Sequence, residues 1–236
     1  MSLKISYNYS PNFDKQKRSK KKIKYLVIHY TGMKNEKNAI NRLSSIQSEV
    51  SSHYFIKYNG GILQLVPDLY VAWHAGKSKW GKDKFLNNNS IGIEISNPGH
   101  DHGYLKFRQK QISASVKLLN YLKKKYKIKP KNILGHSDIA PNRKKDPGEK
   151  FPWKKLAKKK LTIWHNIDNK ILMKLRKIKC NKFENYLFLR NLTKIGYPKS
   201  QPSNKIKAFQ MRFRPELVNG KIDKECFKIS EKISKI

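Results

Sequence analysis

The sequence predicts an α/β fold in which helices flank a central mixed β-sheet, followed by a small C-terminal three-helix bundle. Over the first 160 residues, short runs of apolar and β-branched residues alternate with longer segments of helical periodicity, a pattern typical of a sheet covered by helices. From about Phe183 the strand-like runs cease and three short helical patterns follow. A length of 236 residues accommodates one large domain and one small one.

The first strong strand signal lies at residues 25–30. This run is continuously apolar and rich in β-branched side chains, as expected for a strand buried on both faces, and Thr31-Gly32 ends it. Ile40, Leu43 and Ile46 then recur at helical spacing, which predicts a helix over 37–48.

Two further patterns continue the predicted sheet. The runs 52–56 and 62–66 flank the turn signal Asn59-Gly60-Gly61, so a hairpin is predicted. Residues 90–95 alternate, with three isoleucines on one face and Gly92 and Glu94 on the other.

The last sheet element and the C-terminal part follow a long amphipathic segment. A helix is predicted over 108–126, Pro130 stops it, and a short strand runs from Ile133 to His136. We expect residues 1–160 to form the large domain, 161–182 to form a lysine-rich connecting segment, and 183–236 to form the helical module.

The chain is strongly basic, with 53 Lys and Arg against 16 Asp and Glu and a net charge of +37. An anionic partner is one explanation. A general drift toward lysine is the other, and it is favoured because lysines occur in nearly every segment. No nucleic-acid motif accompanies the charge, so no specific nucleic-acid partner is predicted. An apolar content of 38% excludes wholesale disorder, and no apolar run is long enough to span a membrane.

Compartment and assembly are less strongly constrained. The N-terminus lacks the apolar stretch of a secretory signal, which favours the cytoplasm; a cell-envelope location stays open if the sequence begins after a removed signal. Cys180 and Cys226 are compatible with one bridge, although two unpaired small apolar residues are favoured. We expect a monomer.

Three polar residues stand at places that suit a metal centre. His29 and His136 end predicted strands, and Asp146 follows ten residues after His136 in a loop. Two imidazoles and one carboxylate match a catalytic zinc site with a fourth position open to water. Hydrogen-bonded structural histidines are the alternative, and from the pattern alone they are favoured. Asp138 is the competing acidic ligand, with loop capping as its other interpretation.

Five short segments strengthen the metal interpretation. They are Val27-Ile28-His29-Tyr30-Thr31, Val50-Ser51-Ser52-His53-Tyr54, Ala72-Trp73-His74-Ala75-Gly76, Asn89-Ser90-Ile91-Gly92-Ile93-Glu94 and the run from Gly135 to Gly148. In this order they resemble the N-acetylmuramoyl-L-alanine amidases of the AmpD/AmiD type, within the wider peptidoglycan-recognition-protein fold. The segment Ala208–Pro215, followed by Asn219–Asp223, resembles the C-terminal peptidoglycan-binding module of the AmiD branch.

The resemblance implies the chemistry of the site. It places one Zn2+ per chain on His29, His136 and Asp146, the catalytic acidic residue at Glu94 and the transition-state lysine at Lys144. The implied reaction is hydrolysis of the amide between the lactyl group of N-acetylmuramic acid, intact or 1,6-anhydro, and L-alanine. Peptidoglycan or muropeptides are then the substrate partner. Other members of the wider fold use a tyrosine where this chain has Ser52.

Several further residues receive provisional roles. Tyr30 and Thr31 directly follow the first ligand and are expected to contact substrate or to support that ligand by hydrogen bonding. His74 and Arg143 are also expected to contact substrate, and a loop residue bonded to backbone or solvent is an equal alternative for each. His53 is expected to be structural. His100, His102 and His165 lack a motif and are expected at the surface. A non-catalytic peptidoglycan-binding protein on the same fold is the second function considered.

Overall fold

The computed structural model describes residues 3–236 and resolves ten strands and eight α-helices among them. The strands are β1 Ser6–Tyr7, β2 Phe13–Asp14, β3 Tyr25–Tyr30, β4 Tyr54–Ile56, β5 Ile62–Gln64, β6 Val71–Ala72, β7 Lys79–Trp80, β8 Asp83–Lys84, β9 Ser90–Ile95 and β10 Ile133–Gly135. The helices are α1 Glu36–Ser44, α2 Gln109–Tyr126, α3 His136–Ile139, α4 Trp153–Lys158, α5 Asn169–Arg176, α6 Lys182–Ile195, α7 Pro202–Phe213 and α8 Lys224–Ile233.

Six strands form one mixed sheet in the order β1-β5-β4-β9-β3-β10. The β4–β5 pair is antiparallel, as the hairpin prediction requires, whereas β9 runs parallel to both β4 and β3, and β10 runs parallel to β3. The predicted α/β class with a mixed sheet is therefore confirmed. Because parallel neighbours end at the same edge, the carboxyl ends of β3, β9 and β10 lie side by side.

One face of the sheet packs against α2. The isoleucines of β9 lie in the same buried cluster as Leu118, Leu119 and Leu122 of α2, so the predicted alternation along β9 is confirmed. Gly92 and Glu94 consequently face the opposite side of the sheet, toward the elements described next.

The opposite face packs against the C-terminal helices. A second buried cluster joins side chains of β3 and β10 with those of α6, α7 and α8; its members include Tyr25, Val27, Leu134, Phe188, Phe209, Phe213 and Ile229. Arg212 of α7 is 3% exposed and is paired with the buried Asp138 of α3. The predicted three-helix bundle is present as α6 to α8, and it shares a hydrophobic core with the sheet.

The segment 161–182 holds more structure than its prediction as a connector suggests. It contains α5, which begins at an N-cap: the side chain of Asp168 accepts from the backbone N–H groups of residues 170 and 171. Leu172 is buried with the C-terminal helices, and Arg176 forms an ion pair with Glu225 of α8. Four of the eight residues of α5 are apolar, but Leu172 is the one that is buried, and the sequence pattern does not show which of the four packs against the C-terminal helices. The division at 160 and 182 stays a prediction.

Other element boundaries differ by a few residues from the predictions. The helix α1 ends at Ser44, and a short 3-10 turn covers 46–48. The last strand ends at Gly135, so that His136 opens α3. Both cysteines are unpaired, with Cys226 buried and Cys180 half-buried. Within residues 3–236, no helix combines the length and apolarity needed to cross a bilayer.

Candidate metal centre and active site

The three predicted metal ligands converge at the carboxyl edge of the sheet. His29 lies near the end of β3, and His136 follows β10, the strand paired with it. Nδ1 of His29 lies 2.9 Å from Nδ1 of His136 and 3.0 Å from Oδ2 of Asp146. Nδ1 of His136 lies 3.1 Å from the same Oδ2. Among residues 3–236, this is the group of histidine, cysteine and acidic side chains whose ligand atoms meet in one place.

The donor set fits a zinc ion. Zinc–nitrogen and zinc–oxygen bonds of about 2.0–2.1 Å in tetrahedral geometry put neighbouring ligand atoms roughly 3.3 Å apart, close to the separations seen here. Nε2 of His136 faces the carbonyl oxygen of Ala75 at 3.2 Å, which can only accept. That bond assigns the imidazole proton to Nε2 and leaves the lone pair of Nδ1 directed at His29 and Asp146.

The protonation states of the trio suit metal binding. Burial, followed by the neighbouring His136, lowers the pKa of His29 to about 4, so its ring is neutral near pH 7. Burial alone would raise the pKa of Asp146, but His136 and His29 hold that pKa well below its usual range. Two neutral imidazoles and one carboxylate are the forms in which these side chains bind zinc.

The loop that carries Asp146 is held in place by two neighbouring elements. The backbone carbonyl oxygen of Asp146 accepts from the backbone N–H of Ser137 at 2.8 Å, and this bond holds the loop against the start of α3. Tyr104 donates its hydroxyl proton to the carbonyl oxygen of Pro147 at 2.6 Å. These bonds fix the third ligand relative to the first two.

Glu94 is placed beside the trio by strand register. It is the direct partner of His29 across the parallel β3–β9 pair, so both side chains leave the same face of the sheet. Its Oε2 is buried and has no hydrogen-bond partner within residues 3–236. Burial first, and then the charge of Asp146, raise the pKa of Glu94 to about 8, while Lys144 acts in the opposite direction. An unbonded carboxyl group with a raised pKa is typical of an acid–base catalyst.

Lys144 reaches the same cleft from the loop before Asp146. The cleft has a volume of about 700 Å³ and is lined by His29, Glu94, His136, Lys144 and Asp146 among others. The charge of Lys144 influences the pKa of both His29 and Glu94. Lys145 instead lies at the exposed rim, with its Nζ 3.9 Å from Asp101. The structure thus brings Lys144, rather than Lys145, to the acidic and metal-binding groups.

The predicted substrate-contacting residues all line the cleft, each with partners of its own. The hydroxyl of Tyr30 lies 2.9 Å from Nδ1 of His100. Oγ1 of Thr31 exchanges hydrogen bonds with the backbone of Asn97. The guanidinium of Arg143 donates to the carbonyl oxygens of Ala75 and Lys77. Contact of Tyr30, Thr31 and Arg143 with substrate stays a prediction.

His74 lies behind His29 rather than at the front of the cleft. It is 9% exposed, and its Nδ1 is 3.0 Å from Nε2 of His29. Its Nε2 is 3.2 Å from Oγ of Ser90, so both ring nitrogens already have partners. Its predicted substrate contact is untested, and its geometry is that of a support for the metal ligand.

The structure also tests the predictions made for the four other histidines. His53 is fully buried and accepts from the backbone N–H of Gly92, which agrees with the structural role predicted. His165 was predicted at the surface, and this is wrong, because it is 6% exposed. His100, also predicted at the surface, is partly exposed and bridges Tyr30 and Glu149. Local periodicity does not show either the burial of His165 or the contacts of His100. His102 is exposed at the rim of the cleft, as predicted.

Asp138 is separated from the metal position by its partners. Its Oδ2 accepts from the backbone N–H of Gly135 at 2.8 Å and is paired with Arg212. Its Oδ1 accepts from the hydroxyl of Tyr197 at 2.8 Å. The capping interpretation of Asp138 therefore agrees with the structure, and its second role is to attach the C-terminal helices to the start of α3.

Comparison with known proteins identifies amidases as relatives of this chain. Residues 19–149 match the family model described as N-acetylmuramoyl-L-alanine amidase. The amidase AmiD of Escherichia coli is 37% identical over 228 residues, covering 89% of this chain and 82% of that protein. The 1,6-anhydro-N-acetylmuramyl-L-alanine amidase AmpD of Haemophilus influenzae is 33% identical over 164 residues, covering 62% of this chain and 86% of that protein.

Two solved structures share the fold over most of their length. The complex of E. coli AmiD with anhydro-N-acetylmuramic acid-L-Ala-D-gamma-Glu-L-Lys superimposes with a TM-score of 0.79 at 35% identity, covering 91% of this chain and 89% of that one. AmpDh3 of Pseudomonas aeruginosa in complex with anhydromuramic pentapeptide gives 0.79 at 30% identity, covering 99% and 98%. Both matches extend through the C-terminal helices.

Proposed function

This chain belongs to the N-acetylmuramoyl-L-alanine amidase family, and from that membership and the geometry of the cleft we propose its active site and mechanism. It is a hydrolase that cleaves the amide bond between the lactyl group of N-acetylmuramic acid and the L-alanine of the stem peptide. The observation that carries the proposed site is the convergence of His29, His136 and Asp146 next to the register partner Glu94.

His29, His136 and Asp146 are the residues that would hold zinc. A zinc ion bound there supplies Lewis acidity toward a water molecule and the scissile carbonyl. Support for this assignment comes from the three converging ligand atoms and from the lowered pKa of His29, which keeps that ring neutral near pH 7. One ion per chain is expected, because the donor set occurs once among residues 3–236.

Glu94 is proposed as the proton carrier. Its carboxylate takes a proton from the attacking water as the oxygen bonds to the carbonyl carbon. The protonated carboxyl then gives that proton to the alanine nitrogen as the C–N bond breaks, so a carboxylate on the muramic acid side and a free amine on the peptide leave. The burial of Glu94, together with its unbonded Oε2, supports a group that changes protonation during the cycle.

Lys144 is proposed to stabilise the transition state. Its ammonium group donates a hydrogen bond to the carbonyl oxygen as negative charge develops there. The position of Lys144 in the cleft wall beside Glu94 and Asp146 supports this role. A cation in a partly closed cleft stabilises a nearby negative charge more strongly than the same cation in open solvent does.

We propose muropeptides as the substrate class, including the 1,6-anhydro form. The relatives crystallised with anhydromuramyl peptides support this, since their structures match 91% and 99% of this chain. The C-terminal helices are proposed to bind polymeric peptidoglycan, as the sequence resemblance implies. The non-catalytic alternative is disfavoured because all five proposed metal and catalytic residues are present together in one cleft.

Product analysis tests this proposal and its finer points. Zinc-loaded protein is incubated in parallel with an intact muropeptide, its 1,6-anhydro counterpart and whole sacculi, and the products are identified by mass spectrometry. Release of a stem peptide with a free L-alanine amine supports the proposal. Products cut elsewhere in the peptide or in the glycan would contradict it. Glu94→Gln protein purified in parallel shows whether a contaminating hydrolase contributes.

A further inference from the structure

The contacts of His74 form a chain that leads from a metal ligand to a backbone carbonyl. Nε2 of His29 lies 3.0 Å from Nδ1 of His74, and Nε2 of His74 lies 3.2 Å from Oγ of Ser90. The same Ser90 oxygen donates to the carbonyl oxygen of Leu86. All four residues are buried.

The carbonyl at the end of this chain determines the direction of every hydrogen bond in it. A carbonyl oxygen only accepts, so the single hydroxyl proton of Ser90 points to Leu86. Ser90 must then accept from His74, which puts the proton of the neutral His74 ring on Nε2. Nδ1 of His74 therefore accepts from Nε2–H of His29. The remaining nitrogen of His29, Nδ1, keeps its lone pair toward His136 and Asp146.

The residue after His74 acts in the same way on the second ligand. The carbonyl oxygen of Ala75 faces Nε2 of His136 at 3.2 Å. The loop that carries both groups is held by Asn87, whose Oδ1 accepts from the backbone N–H of His74 at 3.1 Å and of Ala75 at 2.7 Å. One short loop thus faces the outer nitrogens of both histidine ligands.

The His74 ring packs closely against Gly92 of β9, a position without a side chain. A Cβ atom built on Gly92 would lie 2.4 Å from Cγ of His74 and 2.6 Å from its Nδ1. The lack of a side chain in β9 at this residue is therefore what allows the His74 ring to lie under His29.

We propose that His74, anchored by Ser90, is a positioning residue that fixes the tautomer and ring orientation of His29 for metal binding. The inference rests on the proposed zinc site. Partners of this kind around metal-bound histidines typically contribute 10–100-fold to metal affinity. An imidazole is an unusual choice for the task, because it must itself be held in one tautomer, and the Ser90–Leu86 bond supplies that restraint.

Zinc affinity, measured by competition with a chromogenic chelator, tests the inference without reference to turnover. His74→Leu removes both hydrogen bonds and is expected to weaken zinc binding by about 10–100-fold. His74→Gln offers a carbonyl acceptor and an amide donor and is expected to recover most of that loss. Gly92→Ala leaves the chemistry of His74 unchanged but displaces its ring, so it is expected to weaken binding as well. His165→Gln changes a buried histidine that does not line the cleft, so it is the matched control and should bind zinc as wild type does.

A spectroscopic measurement separates positioning from simple loss of structure. In zinc-loaded wild-type protein, 15N shifts are expected to show His29 protonated on Nε2, and thermal unfolding of each metal-free variant reports its folding. Zinc affinity in His74→Leu equal to that of wild type, or a His29 protonated on Nδ1, would overturn the inference and leave the zinc site standing. Failure of wild-type protein to bind zinc would instead refute the proposed function itself.

Discussion

His29 of β3 and Glu94 of β9 are register partners in adjacent parallel strands. This pairing puts a metal ligand and the proposed proton carrier on the same face of the sheet, at its carboxyl edge. Nine of the ten other residues in these two strands are buried, so the spacing of His29 and Glu94 is set by the core of the sheet and not by a loop. A metal ligand and the proposed proton carrier are thus attached directly to the buried core of the sheet.

Replacement of Glu94 by glutamine should remove turnover and keep the metal. The amide has nearly the same shape but cannot accept the proton of water, so kcat is expected to fall by about 10²–10⁴-fold. Steady-state kinetics on a soluble muropeptide measure the loss, and zinc content by atomic emission is the control. Near-wild-type kcat with zinc still bound would remove Glu94 from the mechanism.

Replacement of Asp146 by asparagine should act mainly on the metal. The two imidazoles remain, but the ligand charge that balances the cation is lost, so zinc affinity is expected to fall by at least 10-fold. Chelator competition gives the affinity. Added zinc should restore part of the activity, and activity unaffected by either chelator or mutation would argue against a metal at this position.

The pH dependence of kcat/KM should report Glu94. Its carboxylate form is the active base, so activity rises with pH as the group loses its proton, and burial places that rise above the usual glutamate range. Lys144 lowers the pKa of Glu94, so Lys144→Met should move the acidic limb to higher pH as well as lower the plateau. A limb that stays in place, or moves to lower pH, would show that another group controls it.

Glu94 should also make the metal-free protein less stable as pH rises. Its pKa is raised in the folded state, to about 8, so the folded protein holds an extra proton between about pH 4.5 and 8. The stabilisation that this extra proton gives the folded protein is fully present below pH 4.5, and it is lost as the pH rises to about 8. The unfolding free energy of metal-free Glu94→Gln should therefore rise relative to that of wild type between pH 5 and pH 8, by on the order of 3–4 kcal/mol. Urea unfolding of both proteins at pH 5 and at pH 8 measures this change. An equal difference in unfolding free energy between variant and wild type at the two pH values would contradict the prediction.

The buried pair of Arg212 and Asp138 should be important for docking the C-terminal helices. Asp138→Asn leaves an uncompensated guanidinium in a site where Arg212 is 3% exposed, and a loss of about 3–5 kcal/mol in unfolding free energy is expected. Chemical denaturation measures it. Asp101→Asn, at an exposed rim position, serves as the control and should change stability little. A small effect of Asp138→Asn would mean that the pair contributes little to docking.

The sheet and the site differ in how far the sequence could predict them. The run 25–30 and the alternation at 90–95 carry the burial pattern of their strands directly, so β3 and β9 were predicted within a residue. Local pattern left His29 and His136 as ordinary histidines, and only the ordered family segments joined them with Asp146.

The supporting contacts were beyond local pattern for a physical reason. His74 meets His29 through the conformation of a loop held by Asn87, and neither periodicity nor composition encodes that loop. His165 is 6% exposed, although nothing in the residues around it in the sequence indicates that burial. The glycine at 92 was the one available signal, because a strand interior without a side chain often marks a close approach.

The central claim is that His29, His136 and Asp146 hold one zinc ion beside Glu94. A crystal of zinc-loaded protein, with anomalous data collected on both sides of the zinc absorption edge, tests it most directly. A single strong anomalous peak is expected in contact with Nδ1 of His29, Nδ1 of His136 and Oδ2 of Asp146. No peak at this position, or a zinc ion held by a different set of side chains, would contradict it.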